Sequence, residues 1–183
     1  MKKASLLWLI AHKAVWTRAR VARIGRGDGF CPRCKTCTED LNHFFFDCSA
    51  NLKYFNFLRN CFKGIKYFRL SEREVLLGEC FHLDVLLWHN LRGSLLFCIW
   101  KERNAALFRG DSSSHVFAFM TEAFSIAVQI RSQTREALTI NQNLGEIMQN
   151  TRWQTWQSKL AKYYSPIRFH MIEGIMAATP PHL

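Results

Sequence analysis

The stretch CPRCKTCTEDLNHFFFDC, from Cys31 to Cys48, constrains this chain most. It reads Cys31-x2-Cys34-x8-His43-x4-Cys48, so three thiols and one imidazole fall close together. Zn²⁺ takes four soft or borderline ligands in a tetrahedron, and Cys3His is one of its structural sets. Two residues between Cys31 and Cys34 let both sulfurs face one ion, and Pro32 pre-sets its own φ for that tight turn. Thr38 is expected to cap a short helix with Glu39 and Asp40 in its first turn, near the positive dipole end. His43 then projects from that helix and Cys48 closes the site where it ends. Cys37 continues the spacing and offers itself as a substitute for His43 or Cys48. The opposing reading, reduced core cysteines beside an ordinary histidine, explains the spacing less well. Four protein ligands leave no open position, so the Zn²⁺ expected here is structural.

The same stretch resembles a known family. The spacing, with Glu39-Asp40-Leu41 before His43 and Phe44-Phe45-Phe46 after it, is similar to the reverse-transcriptase zinc-binding domain. That domain lies downstream of the polymerase in LINE-type, non-LTR retroelements, notably of plants. Leu7-Trp8-Leu9 and Trp16-Thr17-Arg18-Ala19-Arg20 resemble the family's Trp-rich helix and Thr-Arg turn. Ile99-Trp100-Lys101-Glu102-Arg103-Asn104 resembles its Trp-x-x-Arg-Asn segment, so the likeness spans residues 5 to about 110. Cys37 is extra to the family pattern. The resemblance implies a detached or remnant retroelement C-terminal segment.

A chain of 183 residues, 49% of them hydrophobic, can bury a real core and is not disordered by composition. Scarce Gly and Pro argue against a turn-rich all-β fold. The expected class is mainly α, a helical bundle-like domain with a small Cys3His zinc knuckle and little or no β-sheet. Seven cysteines, four in one cluster, suit a reducing compartment better than a disulfide framework. The expected location is therefore intracellular, nuclear or cytoplasmic. Net charge is +11. Residues 1–66 hold 13 Lys and Arg against 4 Asp and Glu, and the remainder 12 against 10. This unevenness separates a basic zinc-binding region, 1–66, from a helical region, 67–183.

Residues 1–27 carry no acid. An Arg-rich, acid-free start also fits an organelle transit peptide. The preferred alternative is two helices of the domain itself, Ala4–Val15 and one capped by Thr17 that stops at Gly25. Trp8, Leu9 and Trp16 are then expected in the core, with arginines outside. Gly25-Arg26-Gly27-Asp28-Gly29 lacks the Gly-Lys-Ser/Thr ending of a phosphate loop and reads as a flexible approach to the knuckle. After Ser49 a helix over Asn51–Phe62 carries an aromatic stripe, read mainly as core, with Tyr54 and Tyr67 as the better base-stacking candidates. Ser71 caps a short helix. Long helices are expected near 84–108, 115–138 and 144–164, with a break at Asn141-Gln142-Asn143 and a fraying tail after Pro166. Cys80, His82, His89 and Cys98 match no knuckle spacing and are read as core and surface residues. No run is long and apolar enough for a membrane span.

No Asp-Asp pair, His-Glu-x-x-His or nucleotide fingerprint occurs, and no His-x-Glu of a zinc deaminase. The expected function is a non-enzymatic, zinc-stabilised module that binds RNA or DNA non-specifically. Arg18, Arg20, Arg23, Arg26, Arg33 and Lys35 are the expected phosphate contacts. The alternatives are a structural remnant without a partner, or an organelle-targeted helical protein.

Overall fold

The computed structural model describes residues 2–63, 70–79, 84–147 and 166–179. Of residues 134–147 and of 166, 167 and 169 it describes the backbone alone. The helices are α1 (Lys3–Ala11), α2 (Arg18–Arg23), α3 (Leu52–Cys61), α4 (Glu72–Leu76), α5 (Val85–Arg109), α6 (Val116–Ile147) and α7 (Pro166–Ala178). Between α2 and α3 lies the knuckle, which closes with a π-turn at His43–Asp47 and a 3-10 turn at Ser49–Asn51. Among the described residues there is no β-strand, only an isolated antiparallel bridge between Phe30 and Thr38. The class expected from the sequence, mainly α with a zinc knuckle, is what the chain adopts. No described helix is long and apolar enough to cross a membrane.

The centre is α5. It begins where Asp84 accepts from the Leu87 amide at 2.9 Å. It stops at Gly110, whose φ of 65° is the left-handed geometry of a helix C-cap. Leu87, Trp88, Leu91, Leu95, Leu96 and Ile99 are all fully buried. Helices α1 and α6 pack against α5, while α3 and α6 pack against α7. On α6 the buried residues are Phe119, Ala123, Ala127 and Ile130, a spacing of three or four that keeps one face inward. The aromatic stripe of α3 is core, and Tyr54, proposed for stacking, is wholly enclosed. One hydrophobic cluster runs from Leu6 to Ile175, across the charge boundary at residue 66.

Four expectations are corrected. α1 ends at Ala11, not Val15, because Lys13 takes a left-handed φ of 51° and turns the chain. Trp8 and Trp16 are each 60% exposed, and Leu6, Ile10 and Val15 fill the core in their place. Helix α6 continues through Asn141-Gln142-Asn143, because the weak helix propensity of the two asparagines does not outweigh a helix already under way. Pro166 opens α7 where the sequence predicts a fraying tail, which suits a residue with fixed φ and no N–H at a first helical turn. Met171, Ile172 and Ile175 of α7 are buried, so the tail is part of the fold up to Thr179. Tyr67, Cys80, His82 and nearly all of the helix expected at 144–164 lie outside the described residues.

Candidate metal centre

The knuckle is built from backbone geometry first. Gly29 turns at φ +81°, which a side chain would strain. Phe30 and Thr38 then pair, and the Cys31 amide donates to the Cys37 carbonyl at 2.9 Å. The Lys35 amide donates back to the Cys31 carbonyl at 2.9 Å, with Lys35 itself left-handed at φ 60°. This loop points Cys31 and Cys34 the same way. Thr38 is used in the bridge, so the cap expected of it falls to Asp40, whose Oδ1 accepts from the His43 amide at 2.7 Å.

The turn that follows explains the His43-x4-Cys48 spacing. The Cys48 amide donates to the His43 carbonyl at 3.0 Å, five residues back, which is the π pattern. A turn widened this way brings the fifth residue back over the first, where an α-helix would rotate it past. His43 and Cys48 thereby face the same centre.

Cys31, Cys34, His43 and Cys48 each place a ligand atom within 4.8 Å of the others. Cys31 Sγ and Cys48 Sγ are 3.8 Å apart, and Cys34 Sγ lies 3.3 Å from His43 Nε2. A tetrahedral Zn²⁺ with Zn–S near 2.3 Å and Zn–N near 2.0 Å sets these edges at about 3.8 Å and about 3.5 Å. The donor set and its spacing fit the ion. Cys37 is exposed and lies outside the set, with Thr36 Oγ1 at 3.6 Å from its sulfur.

The protonation of the site follows from this crowding. A hydrogen bond from Cys48 stabilises the Cys31 thiolate and holds its pKa down at about 4, against the desolvation of its position. The shared proton drives Cys48 the other way, well above the usual thiol range, and burial adds to that. Burial works against ionising Cys34, but bonds from Thr36 and the Cys37 amide bring it to about 7. Burial also opposes charge on His43, yet the neighbouring sulfurs of Cys31 and Cys34 raise its pKa. A cation replaces those protons at the same atoms.

Two buried ion networks dock the knuckle onto the helices. Glu39, wholly buried, receives the Arg103 guanidinium of α5, with Nη2 at 2.5 Å from Oε1. Glu39 also caps α2: its Oε1 accepts from the Arg18 amide and its carbonyl from the Ala19 amide, both at 3.0 Å. Thr17 Oγ1 accepts from the Arg20 amide at 3.3 Å. Every free amide of this short helix is therefore met, one by Thr17 and two by the knuckle. Glu102 is the second hub. Its Oε2 accepts from Tyr54 Oη and Lys53 Nζ, each at 2.8 Å, and from the His115 amide at 3.1 Å.

Of the expected phosphate contacts, Arg33 is corrected. Its side chain is 3% exposed. It donates to Asn51 Oδ1 at 2.7 Å and to the Phe44 carbonyl at 2.6 Å, with Glu102 Oε1 at 3.8 Å. It joins the knuckle to α5 and cannot reach a ligand outside. Arg18 pairs with Asp28 at 3.1 Å, Arg20 donates to the Lys13 carbonyl at 3.2 Å, and Arg23, Arg26 and Lys35 are exposed. Sequence reasoning missed Glu39, Glu102 and Arg103 as structural partners. The signal was present, because charges inside the apolar run of α5 must find partners or pay for burial.

Residues 1–54 match the family model described as zinc-binding in reverse transcriptase. The match covers α1, α2, the whole knuckle and the first residues of α3, and it ends before Glu102 and Arg103. No curated protein and no solved structure matches the chain.

Proposed function

We propose that this chain is a zinc-stabilised module that binds RNA or DNA through charge, without base-specific readout and without catalytic chemistry of its own. The observation that carries this is the placement of Arg18, Arg20, Arg23, Arg26 and Lys35. They sit on a helix and a loop whose backbone is fixed by the knuckle, in a chain of net charge +11. Cations held in place release condensed counterions when phosphates meet them, and this drives sequence-independent binding. Cys31, Cys34, His43 and Cys48 would hold the zinc, whose role is to fix shape. The family named for zinc binding in reverse transcriptase supports a place beside nucleic acid, inside the cell in nucleus or cytoplasm. The likeness to a retroelement segment belongs to the same proposal.

The test is affinity for a labelled duplex across a salt series. Four or five engaged cations predict a slope of about −4 in log K against log salt. Affinity that stays flat from low to moderate salt overturns the proposal.

A further inference from the structure

We infer that Trp16 and the groove beside it form a stacking platform for single-stranded nucleic acid. This rests on the nucleic-acid reading above and names the form of the partner and where it binds. The groove, about 610 Å³, lies between the end of α1, α2, the Asp40–Asn42 turn and α4. Lys13, Arg20 and Arg23 line it, with Arg73 already paired to Glu79 at 2.5 Å, against two acids, Asp40 and Glu72. Asp40 is already engaged at the His43 amide. The lining is therefore net cationic and suited to a phosphate chain.

Trp16 stands between two lining residues, Val15 and Thr17, and is 60% exposed. Its backbone is not loose. The Trp16 carbonyl accepts from Arg103 Nη2 at 3.3 Å, and Thr17, the next residue, is buried as the α2 cap. Arg20 lies over the indole, with its guanidinium carbon 5.3 Å from the ring centroid, while its Nη1 is held by the Lys13 carbonyl. One face of the ring thus carries a fixed cation, and the residue remains largely exposed. An exposed ring on an anchored backbone, joined to a cationic groove through Arg20, matches the two surfaces of an unpaired nucleotide, a base face and a phosphate. A duplex hides its base faces and can use only the charge.

The experiment uses the full chain loaded with zinc and measures anisotropy of three labelled probes at one salt concentration: oligo-U RNA, oligo-dT DNA and a blunt DNA duplex. Trp16→Ala is compared with Trp8→Ala, an equally exposed indole outside the groove. Zinc content and circular dichroism of both variants should equal those of the wild type. The expected result is about a tenfold loss on both single strands for Trp16→Ala, with the duplex changed by less than about twofold and Trp8→Ala unchanged on all three probes. The platform is overturned if Trp16→Ala binds single strands as well as Trp8→Ala does, or loses the duplex equally. If in either case the wild type is steeply salt-dependent in the duplex salt series given above, only the platform fails. If it shows none, the nucleic-acid reading fails and takes the platform with it.

Discussion

Between Cys31 and Cys48 six residues are buried: Cys31, Glu39, His43, Phe44, Phe45 and Cys48. Only the two phenylalanines are there as ordinary core, since three of the others are candidate ligands and the fourth is an ion-pair partner. Helix α5 buries thirteen residues, of which Leu87, Trp88, Leu91, Leu95, Leu96 and Ile99 alone provide a continuous apolar seam. The knuckle is held by donor atoms and buried charges, the α3–α5–α6–α7 stack by apolar area. The two meet at Arg33, Glu39, Glu102 and Arg103. A region too small to bury its own surface borrows its foundation from one that can.

The sharpest way to break that contrast is to remove the metal. Chelation, or Cys34→Ser, should abolish zinc binding and unfold residues 29–48, because structural zinc in finger peptides is worth about 10–16 kcal/mol. Helix α2 should loosen with it, since Glu39 supplies two of its caps. Hydrogen exchange should then rise in α2 and the knuckle while α5 stays protected. Native mass spectrometry should find zinc retained in Cys37→Ser and lost in Cys34→Ser. Loss of protection throughout α5 on chelation would mean that the two regions are one cooperative unit.

Next comes the joint between them. Arg103→Gln leaves Glu39 charged, enclosed and without its counter-ion, which should cost about 3–5 kcal/mol in urea denaturation. Zinc affinity should fall as well, because this pair seats the knuckle on α5. Glu39→Gln combined with Arg103→Gln should cost less than the two single changes added together, because the stranded charge is gone. Additive losses would deny the pairing.

Much of this was legible in the sequence because it was local. Ligand spacing, the Thr17 and Ser71 caps and the apolar run of α5 each depend on neighbours a few residues away. Ser71 indeed forms a reciprocal capping box with Glu74. What escaped was long-range. Trp8 and Trp16 look like core residues in any local window, and only the turn at Lys13 decides that Leu6, Ile10 and Val15 take the inside. Arg33 looks like a phosphate contact until Glu102, far along the chain, lies beside it. The π-turn at His43–Asp47 leaves no propensity signal; it follows from having to bring His43 and Cys48 to one centre.

The stack should answer to volume instead. Gly174 of α7 lies so close to α3 that a methyl group there would overlap the Cys61 carbonyl. Backbone cannot swing aside as a side chain can, so Gly174→Ala should cost about 1–3 kcal/mol of stability. Zinc stoichiometry should not change, and a variant that loses metal as well would blur the contrast drawn above.

At neutral pH the smallest effect tests the thiols, which the two regions push in opposite directions. In the knuckle Cys31 is held down at about 4 by its bond from Cys48. In the stack burial pushes Cys61 from 9.0 up to about 12, and Cys98 in the same direction. An acid whose folded pKa is raised keeps its proton in the native state while the unfolded chain gives it up. Between those two values the unfolded state binds fewer protons, so stability falls as pH rises from about 9 toward 12. For one such thiol the slope approaches about 1.4 kcal/mol per pH unit. Cys61→Ala should be somewhat less stable than wild type at neutral pH, where it loses only packing. Its stability should then decline less steeply through the alkaline range, so the gap between the two proteins narrows with pH. Parallel curves would mean that the Cys61 thiol ionises as readily in the folded chain as in the unfolded one, and that the stack does not enclose it.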